Sequence, residues 1–310
     1  MKQFKVLSLL VAVLLLTACS DNGDDSDSSG NANANISLYS SLEFPKVKGD
    51  KSEVITHSTT QNGVNYVTYS FEWDHQLKAQ RWTCYYFTAK NKEKNWNRDN
   101  WKKGVNWDGK YWKGDPFQKD PKVPDSEQPS VSEFKNSSFP DKNFSYFQRG
   151  HICPSEDRML SVDANGQTFY MTNMFPQGEF FNGKLWSVME AFVREKWGKN
   201  ITGTDTLFVV KGGTIDKESQ ILCRTRNGFI VPRYFFMALL SKRNGIYQAM
   251  GFWVEHINSD HSSDPLINYA CNIRTLEEKT GIDFFCNLPD DLESTVETQN
   301  MTVIKRLWNL

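Results

Sequence analysis

Apolar and polar residues alternate along two segments in the first third of the chain. Residues 66–71 (Tyr-Val-Thr-Tyr-Ser-Phe) and 82–87 (Trp-Thr-Cys-Tyr-Tyr-Phe) are rich in β-branched and aromatic side chains. This pattern is typical of strands that bury one face. The polar stretch 75–80, which lies between them, predicts that the two strands pair as a hairpin.

A helix is predicted for residues 182–197, because apolar residues recur there at helical spacing. The residues of this stripe are Leu185, Val188, Met189, Phe192 and Val193. Their spacing of i, i+3, i+4, i+7 and i+8 places them on one face of the helix. That face is expected to pack against the core.

The rest of the chain predicts several strands and few helices. Strand-like runs occupy 206–211, 232–240 and 248–254, and a short helix is predicted for 274–280, where Gly281 would end it. Because strands and helices do not alternate regularly, the expected fold class is α+β, with a mainly antiparallel central sheet and flanking helices.

Residues 91–146 have no clear period, and so long an irregular segment is usually functional or disordered. Tryptophans alternate there with cations: Trp96, Trp101, Trp107 and Trp112 with Arg98, Lys102, Lys103, Lys110 and Lys113. Aromatic faces stack nucleic-acid bases, and cations contact phosphates. Two alternatives stay open: the indoles pack the segment onto the core, or they bind a sugar.

The N-terminus has the features of an export signal. Lys2 and Lys5 precede an apolar run, 6–16, that is too short to span a bilayer comfortably. Cys19 follows small residues, as in a bacterial lipobox. We therefore expect a signal peptide at 1–18, a lipid on Cys19 and a protein anchored to a bacterial membrane, at the outer membrane or cell surface. Ordinary secretion with an incidental cysteine is the alternative.

The segment after the cysteine has the composition of a tether. Residues 20–35 contain only Ser, Asp, Gly, Asn and Ala, which cannot bury enough apolar surface to fold. The expected organisation is a signal peptide at 1–18, a lipidated cysteine with a disordered acidic tether at 19–35, and one domain at 36–310. The net charge is −1, so nucleic-acid binding would need a local basic patch.

The spacings of the cysteines and histidines do not indicate a metal site. Besides Cys19 there are five cysteines: Cys84, Cys153, Cys223, Cys271 and Cys286. An odd number leaves at least one thiol outside an intramolecular disulfide, and the pairing stays open. No C-x-x-C spacing occurs, which disfavours a zinc site. Four histidines have no ligand spacing and are predicted to be structural: His57, His75, His256 and His261.

The segment 148–151, Gln-Arg-Gly-His, carries candidate chemistry. Imidazole is the side chain best suited to take a proton from water near neutral pH, so His151 is a candidate general base. The alternative is that His151 is structural, as a single histidine more often is. Arg149 has the shape and permanent charge to hold phosphate oxygens, and Gly150 permits a tight backbone.

Asn182 and Glu190 are candidate metal-binding residues on the predicted helix. In an α-helix they would lie about 80° apart around the axis and about 12 Å apart along it. An amide oxygen and a carboxylate suit a Mg²⁺ ion that keeps most of its waters, with one group as a direct ligand and the other holding a bound water. The alternative is that Asn182 caps the helix and Glu190 is a solvated charge.

The order of these motifs resembles the DNA/RNA non-specific endonuclease family of ββα-metal enzymes. The motifs are 148–151, then 173–177 (Asn-Met-Phe-Pro-Gln), then Asn182 followed eight residues later by Glu190. Segments similar to the family's strands and C-terminal region extend the resemblance over residues 50–292. The resemblance implies a ββα-metal active-site motif within the α+β fold.

The resemblance also implies a role for each matching residue. His151 would activate the attacking water, and Asn182 would be the only direct protein ligand of a catalytic Mg²⁺, for which Mn²⁺ is the expected substitute. Glu190 would orient a metal-bound water. Arg149 would stabilise the phosphate and its developing charge, and Asn173 would support the site.

Two positions differ from the family's pattern. Gln148 stands where the motif often has Asp, which removes a negative charge near His151. The family also uses a second, upstream arginine, for which Arg98 is the candidate.

The expected function is that of a lipid-anchored, Mg²⁺-dependent nuclease that cleaves DNA and RNA with little sequence preference and leaves 5′-phosphate ends. Its expected partners are nucleic acids and the membrane, and no protein partner is inferred. One alternative is a non-catalytic nucleic-acid-binding lipoprotein with the same fold. The other is a surface glycan-binding lipoprotein, which only the tryptophans and the anchor suggest.

Overall fold

The computed structural model describes residues 39–135 and 147–310. The predicted signal peptide, the lipidated Cys19 and the tether lie outside these described residues. Within the two described ranges, none of the helices has both the length and the apolar character needed to span a bilayer.

Thirteen strands are present in the described ranges. In chain order they are β1 (Ser52–Gln61), β2 (Val64–Asp74), β3 (Ala79–Phe87), β4 (Val105–Trp107), β5 (Lys110–Trp112), β6 (Phe147–His151), β7 (Met174–Gly178), β8 (Thr206–Gly213), β9 (Ile221–Arg224), β10 (Ile230–Pro232), β11 (Tyr234–Arg243), β12 (Ile246–Glu255) and β13 (Ala270–Cys271).

Seven of these strands form the central sheet, in the order β1-β2-β3-β8-β11-β12-β13. Every neighbouring pair in it is antiparallel. The pairs β4-β5, β6-β7 and β9-β10 form separate two-stranded sheets. The predicted α+β class with an antiparallel central sheet is confirmed, and so is the predicted hairpin, because β2 pairs with β3.

The helices are α1 (Arg98–Trp101), α2 (Val162–Gln167), α3, α4 (Ile273–Thr280), α5 (Asp290–Glu297) and α6 (Met301–Trp308). We call α3 the site helix; it consists of Phe181–Trp186, Ser187–Ala191 and Phe192–Trp197 in succession. Short 3₁₀ turns occupy Asp125–Glu127, Val131–Phe134, Ser155–Asp157, Met171–Asn173, Gly198–Asn200, Glu218–Gln220 and Leu266–Tyr269.

Two predicted elements near the C-terminus can be compared directly. Helix α4 ends as expected at Gly281, whose φ of 76° lies in the left-handed region that glycine adopts without strain. The predicted single strand 232–240 is wrong at its start. Pro232 belongs to β10, and β11 begins only at Tyr234, because proline has no N–H for the central ladder and is placed at the end of an edge hairpin.

The central sheet is covered on both faces. In β8, Leu207 and Val209 face one hydrophobic cluster, and Phe208 and Val210 face the other, as the alternation of side chains along a strand requires. The first cluster lies beneath the site helix and α6, and the second beneath α4 and α5. The site helix is therefore fixed to the sheet by a continuous buried layer.

The site helix has the predicted extent but not a uniform α-helical geometry. Its first and last parts, Phe181–Trp186 and Phe192–Trp197, are π-helical. A π-turn brings residues five apart into register. The rings of Phe181 and Trp186 accordingly stack, with centroids 5.8 Å apart.

The tryptophans of segment 91–135 pack it onto the domain. Trp101 is fully buried and donates its indole N–H to Asn165 Oδ1 at 2.7 Å; Trp107 is buried and donates to Asp163 Oδ1 at 2.8 Å. Both acceptors belong to α2. The prediction that these two indoles stack bases is wrong, because their faces lie within the cluster that contains Phe169.

Candidate active site

The hairpin β6-β7 positions the motif 148–151. His151 pairs with Met174, and Arg149 with Pro176. Gly150 is required by packing, because a Cβ atom there would lie 2.1 Å from Oε1 of the buried Gln177. The glycine thus lets the two strands close, and the side chains of Arg149 and His151 leave the hairpin on the side of a cavity.

An open cavity of about 410 Å³ brings most of the predicted residues together. It is lined by Arg98, Phe117, Gln148, Arg149, His151, Pro154, Ser155, Glu156, Asn182, Gly183, Ser187, Glu190 and Arg194. Five of the six predicted site residues are in this set. The sixth, Asn173, is not.

His151 is held between aromatic rings at the wall of the cavity. Its ring centroid lies 5.0 Å from that of Phe169 at an interplanar angle of 88°, and 5.9 Å from that of Phe117. Nε2 has no hydrogen-bond partner among the described residues. Burial, together with the nearby guanidinium groups of Arg98 and Arg149, lowers the pKa of His151 to about 3. The imidazole is therefore neutral and able to accept a proton.

Two arginines flank the imidazole. The guanidinium carbon of Arg149 lies 4.2 Å from the centre of the Phe117 ring, a cation–π contact that fixes the side chain while its N–H groups stay available. Arg98 forms an ion pair through two nitrogens with Asp115. This pair holds Arg98 at the cavity rim, where it is half-exposed.

Asn182 lies within the first turns of the site helix, at the cavity floor. Helical geometry already begins at residue 179, so the alternative that Asn182 caps the helix is wrong. Its Nδ2 donates a hydrogen bond of 2.6 Å to Gln148 Oε1. Because the amide nitrogen is engaged, Oδ1 remains as the group that can face a cation.

Glu190 is not a solvated charge, which excludes the second alternative for this residue. Its side chain is 16% exposed, and Oε1 lies 3.6 Å from Nζ of Lys211, which is completely buried. Burial raises the pKa of Glu190 to about 7, and the charge of Asp157 adds to this, while Lys211 and Arg194 oppose it.

A buried network of charges supports Glu190 from beneath. Asp157 accepts a hydrogen bond of 2.7 Å from Tyr85 and forms a 3.1 Å ion pair with Arg194. The oxygen that accepts from Tyr85, Oδ2, also lies 4.0 Å from Lys211 Nζ. Lys211 projects from β8 on the face that carries Leu207 and Val209, so the central sheet places a cation directly under the site helix.

Asn173 lies behind the cavity and uses its whole amide group for the backbone. Its Oδ1 accepts from Cys153 N at 2.9 Å, and its Nδ2 donates to Cys153 O and Thr168 O at 2.9 and 2.7 Å. These bonds fix the chain two residues after His151. Asn173 therefore holds the segment that follows His151 without reaching the cavity.

Sequence reasoning missed three residues of the site. The ring of Phe117 packs against the guanidinium group of Arg149. Arg194 lines the cavity one helical turn beyond Glu190, and Lys211 forms an ion pair with Glu190. The spacing of Arg194 from Glu190 on one helix was a usable signal. A lysine among apolar residues of a strand, in Leu-Phe-Val-Val-Lys-Gly, was a second.

The other histidines agree with the structural prediction where they are buried. His57 Nε2 bonds Asp120 Oδ2 at 2.8 Å, and His256 accepts from Gly178 N at 2.8 Å while its other nitrogen bonds Pro232 O. Neither lines the cavity. Their hydrogen bonds are used to hold segments of the fold together.

The oxygen donors of the cavity fit a hard divalent cation. Glu190 lines the cavity with a side chain that is 16% exposed, and Asn182 Oδ1 is left available by the bond to Gln148. Oxygen ligands of this kind are those that Mg²⁺ prefers. Carboxylates also gather elsewhere, at Glu277, Asp283 and Glu297, but there Arg274 forms a 2.6 Å ion pair with Glu297.

Comparison with known proteins gives a consistent result. The sequence pattern of the DNA/RNA non-specific endonuclease family matches residues 50–291. Nuclease C1 of Cunninghamella echinulata var. echinulata is 29% identical over 156 residues, which cover 49% of this chain and 62% of that protein. A nuclease of Nostoc sp. is 27% identical over 164 residues, covering 50% of this chain and 56% of that protein.

More distant relatives show the same pattern of partial coverage. Mitochondrial endonuclease G of Bos taurus is 25% identical over 157 residues, which cover 48% of this chain and 51% of that protein. The match thus spans only about half to three-fifths of the length of these relatives. The crystal structure of the EndoG/EndoGI complex has the same fold: a TM-score of 0.57 at 17% identity, over 77% of this chain and 89% of that chain.

Proposed function

Because the chain belongs to the DNA/RNA non-specific endonuclease family, we propose that it hydrolyses phosphodiester bonds of DNA and RNA with little sequence preference, using a divalent metal ion. The observation that carries the proposal is the shared cavity of a neutral imidazole, three guanidinium groups, an amide oxygen and a largely buried carboxylate. These are the groups that metal-assisted phosphodiester hydrolysis requires.

His151 is the general base in this proposal. Its imidazole takes the proton of the attacking water, and the rings of Phe117 and Phe169 fix the direction of the ring. Arg149 and Arg98 hold the phosphate oxygens. Their charges also lower the pKa of His151. A bound phosphate would counter those charges and raise this pKa, so substrate binding makes the imidazole a stronger base.

Asn182 and Glu190 are the residues that would hold the metal ion, Asn182 directly and Glu190 through a water. When bound, a Mg²⁺ or Mn²⁺ ion supplies positive charge for the developing negative charge on the phosphoryl group. Lys211 keeps the Glu190 carboxylate in place beneath the cavity. Asn173 holds the chain that follows His151, so that the base and the metal-binding residues keep a fixed separation.

The tryptophans give no support to a glycan-binding function, because Trp101 and Trp107 are buried and Trp96 and Trp112 pack, half-buried, against the same cluster. The cations of the same segment, in contrast, are exposed: Lys102, Lys103, Lys110 and Lys113. They supply the local basic patch that a protein with a net charge of −1 needs for contacts with phosphates.

A nicking assay with the full-length protein tests the proposed function. Supercoiled plasmid and a structured RNA should both be cleaved in Mg²⁺, since the residues that hold phosphate read no base. EDTA should abolish cleavage, and added Mn²⁺ should restore it. The cut DNA should be joined by a ligase without prior phosphorylation, because its ends carry 5′-phosphate. Cleavage that persists in EDTA, or none in either metal, would refute the proposal.

The proposed location is a bacterial membrane surface, with the lipid on Cys19 as the anchor. The support is the sequence from Lys2 to Cys19 and the polar composition of 20–35, which offers no packing surface. Cys19→Ala should shift the protein from the membrane fraction to the soluble fraction and leave its melting temperature unchanged. A Cys19→Ala protein that still sediments with membranes would point to a retained signal helix or a peripheral contact.

A further inference from the structure

We propose that Gln148 is the positioning residue that orients the amide group of Asn182, and that its neutral side chain leaves this orientation reversible. A carboxylate in the same place would fix it. The inference rests on the proposed metal-binding role of Asn182. In it, the amide group of Asn182 is oriented toward a cation before any substrate binds.

The contact between the two side chains is direct. Gln148 lies on β6, and Asn182 follows β7 by one short turn into the site helix. The hydrogen bond from Asn182 Nδ2 to Gln148 Oε1 is 2.6 Å long. No other hydrogen bond to the Asn182 side chain comes from residues 39–135 or 147–310. Both side chains are partly buried and line the cavity.

The two amide groups can form this hydrogen bond in two arrangements. Each primary amide has one accepting oxygen and one donating NH₂ group. The pair can therefore bond as Asn182 N–H to Gln148 oxygen, or, after both amides rotate, as Gln148 N–H to Asn182 oxygen. The first arrangement turns Asn182 Oδ1 toward a cation. The second turns its NH₂ group there, which a cation repels.

A carboxylate at position 148 would exclude the second arrangement, in which residue 148 donates to the Asn182 oxygen. An ionised carboxylate only accepts hydrogen bonds, so Asn182 would have to donate, and its oxygen would face the cation site in every molecule. With Gln148, part of the cation's binding free energy is spent on selecting the productive orientation. The charges that line the cavity also oppose cation binding, because three arginines outnumber the carboxylates Glu156 and Glu190. A carboxylate at position 148 would reduce this excess of positive charge.

Titration of the full-length protein with Mn²⁺, followed by electron paramagnetic resonance without nucleic acid, tests this inference. Gln148→Glu keeps the length of the side chain and should tighten the Asn182-dependent Mn²⁺ site roughly tenfold, the lower end of the effects seen for partners of metal ligands. Gln148→Leu removes the acceptor and should weaken that site by about 10–100-fold, the usual effect of losing a partner of a metal ligand. Circular dichroism melting curves establish that each variant is folded.

A double-mutant cycle separates orientation from simple charge. In an Asn182→Asp background the ligand oxygen is kept and there is no amide to orient, so Gln148→Glu adds only charge and its gain in affinity should disappear. An equal gain in both backgrounds would overturn the inference. An Asn182→Ala protein measures Mn²⁺ bound elsewhere, for example at Glu277, Asp283 and Glu297.

The outcomes distinguish this inference from the proposed function. If Asn182→Ala removes no Mn²⁺ binding, the metal role of Asn182 and the inference are both refuted. If Asn182-dependent binding is present and Gln148→Glu leaves its dissociation constant unchanged, only the inference is refuted. Plasmid nicking in Mg²⁺ is measured separately and does not enter either decision.

Discussion

Replacing His151 with alanine should slow DNA hydrolysis by at least about 10²–10⁴-fold, the usual contribution of a general base. The imidazole lines the cavity, and its lowered pKa, about 3, keeps it neutral. Alanine leaves the arginines and the metal-binding residues in place. Initial rates at saturating Mg²⁺ should therefore fall steeply, while Mn²⁺ affinity stays within a small factor of the original value.

The matched control for this prediction is His261→Ala. His261 bonds Ser259 and Asp264 at the surface and does not line the cavity. It should retain the original rate, which rules out a general effect of losing a histidine. A His151→Ala protein with near-normal turnover would show that another group takes the proton. A large loss of Mn²⁺ affinity would show instead that His151 binds the metal.

Replacing Lys211 with methionine should destabilise the metal-free protein by about 3–5 kcal/mol, as expected when one partner of a buried ion pair is removed. Lys211 is completely buried, 3.6 Å from Glu190 and 4.0 Å from Asp157. Methionine fills much of the space of the lysine stem but leaves Glu190 without its nearest cation. Urea denaturation in EDTA measures the loss in the free energy of unfolding.

The pH dependence identifies Glu190 as the cause. Its pKa is already raised to about 7, and loss of the lysine charge should raise it further. A carboxyl whose folded pKa exceeds the unfolded value contributes stability below the unfolded pKa, and this is lost as pH rises through the folded pKa. The cost of Lys211→Met should therefore be larger at pH 9 than at pH 6.

A second substitution provides the check. Adding Glu190→Gln to Lys211→Met removes the uncompensated carboxylate and should recover much of the lost stability at pH 9. At pH 6, where Glu190 is largely protonated, it should recover little. If the recovery is absent, or is the same at both pH values, Lys211 stabilises the fold through Asp157 and not through Glu190.

The central sheet could be predicted because its signal is local. Alternating runs such as 66–71 and 82–87 bury one face against a neighbour, and hairpin pairing needs only the short segment between them. The bounds of the site helix could be predicted as well, because its apolar stripe is also a local pattern. Its π-turns were not, since a pattern with the α-helical period does not show where residues five apart come into register.

The charged support of the site could not be predicted from local pattern. Lys211, Asp157 and Glu190 lie on a strand, a 3₁₀ turn and a helix, and only the packing of these elements brings them together. Their burial, which shifts the pKa of Glu190, is likewise a property of the folded chain. The motif residues themselves could be found because His151 and Asn182 keep a recognisable order along the sequence.

The tryptophan segment shows how composition alone misleads. Indoles and lysines together are typical of base-stacking surfaces. In this protein, however, Trp101 and Trp107 are buried and donate hydrogen bonds to acceptors in α2. An indole buries a large area and needs one acceptor. Where a folded neighbour such as Asn165 offers that acceptor, packing is favoured over exposure.

None of the thirteen residues that line the cavity comes from the seven-stranded sheet. They belong to α1, the β6-β7 hairpin, the loops beside it and the site helix, all mounted on the sheet's surface. Substitutions in the far layer, around Phe236 and Leu276, act on folding and leave the reactive groups where they are. The far layer is thus separable from the chemistry of this protein, whereas β8 is not, because its Lys211 supports Glu190 beneath the cavity.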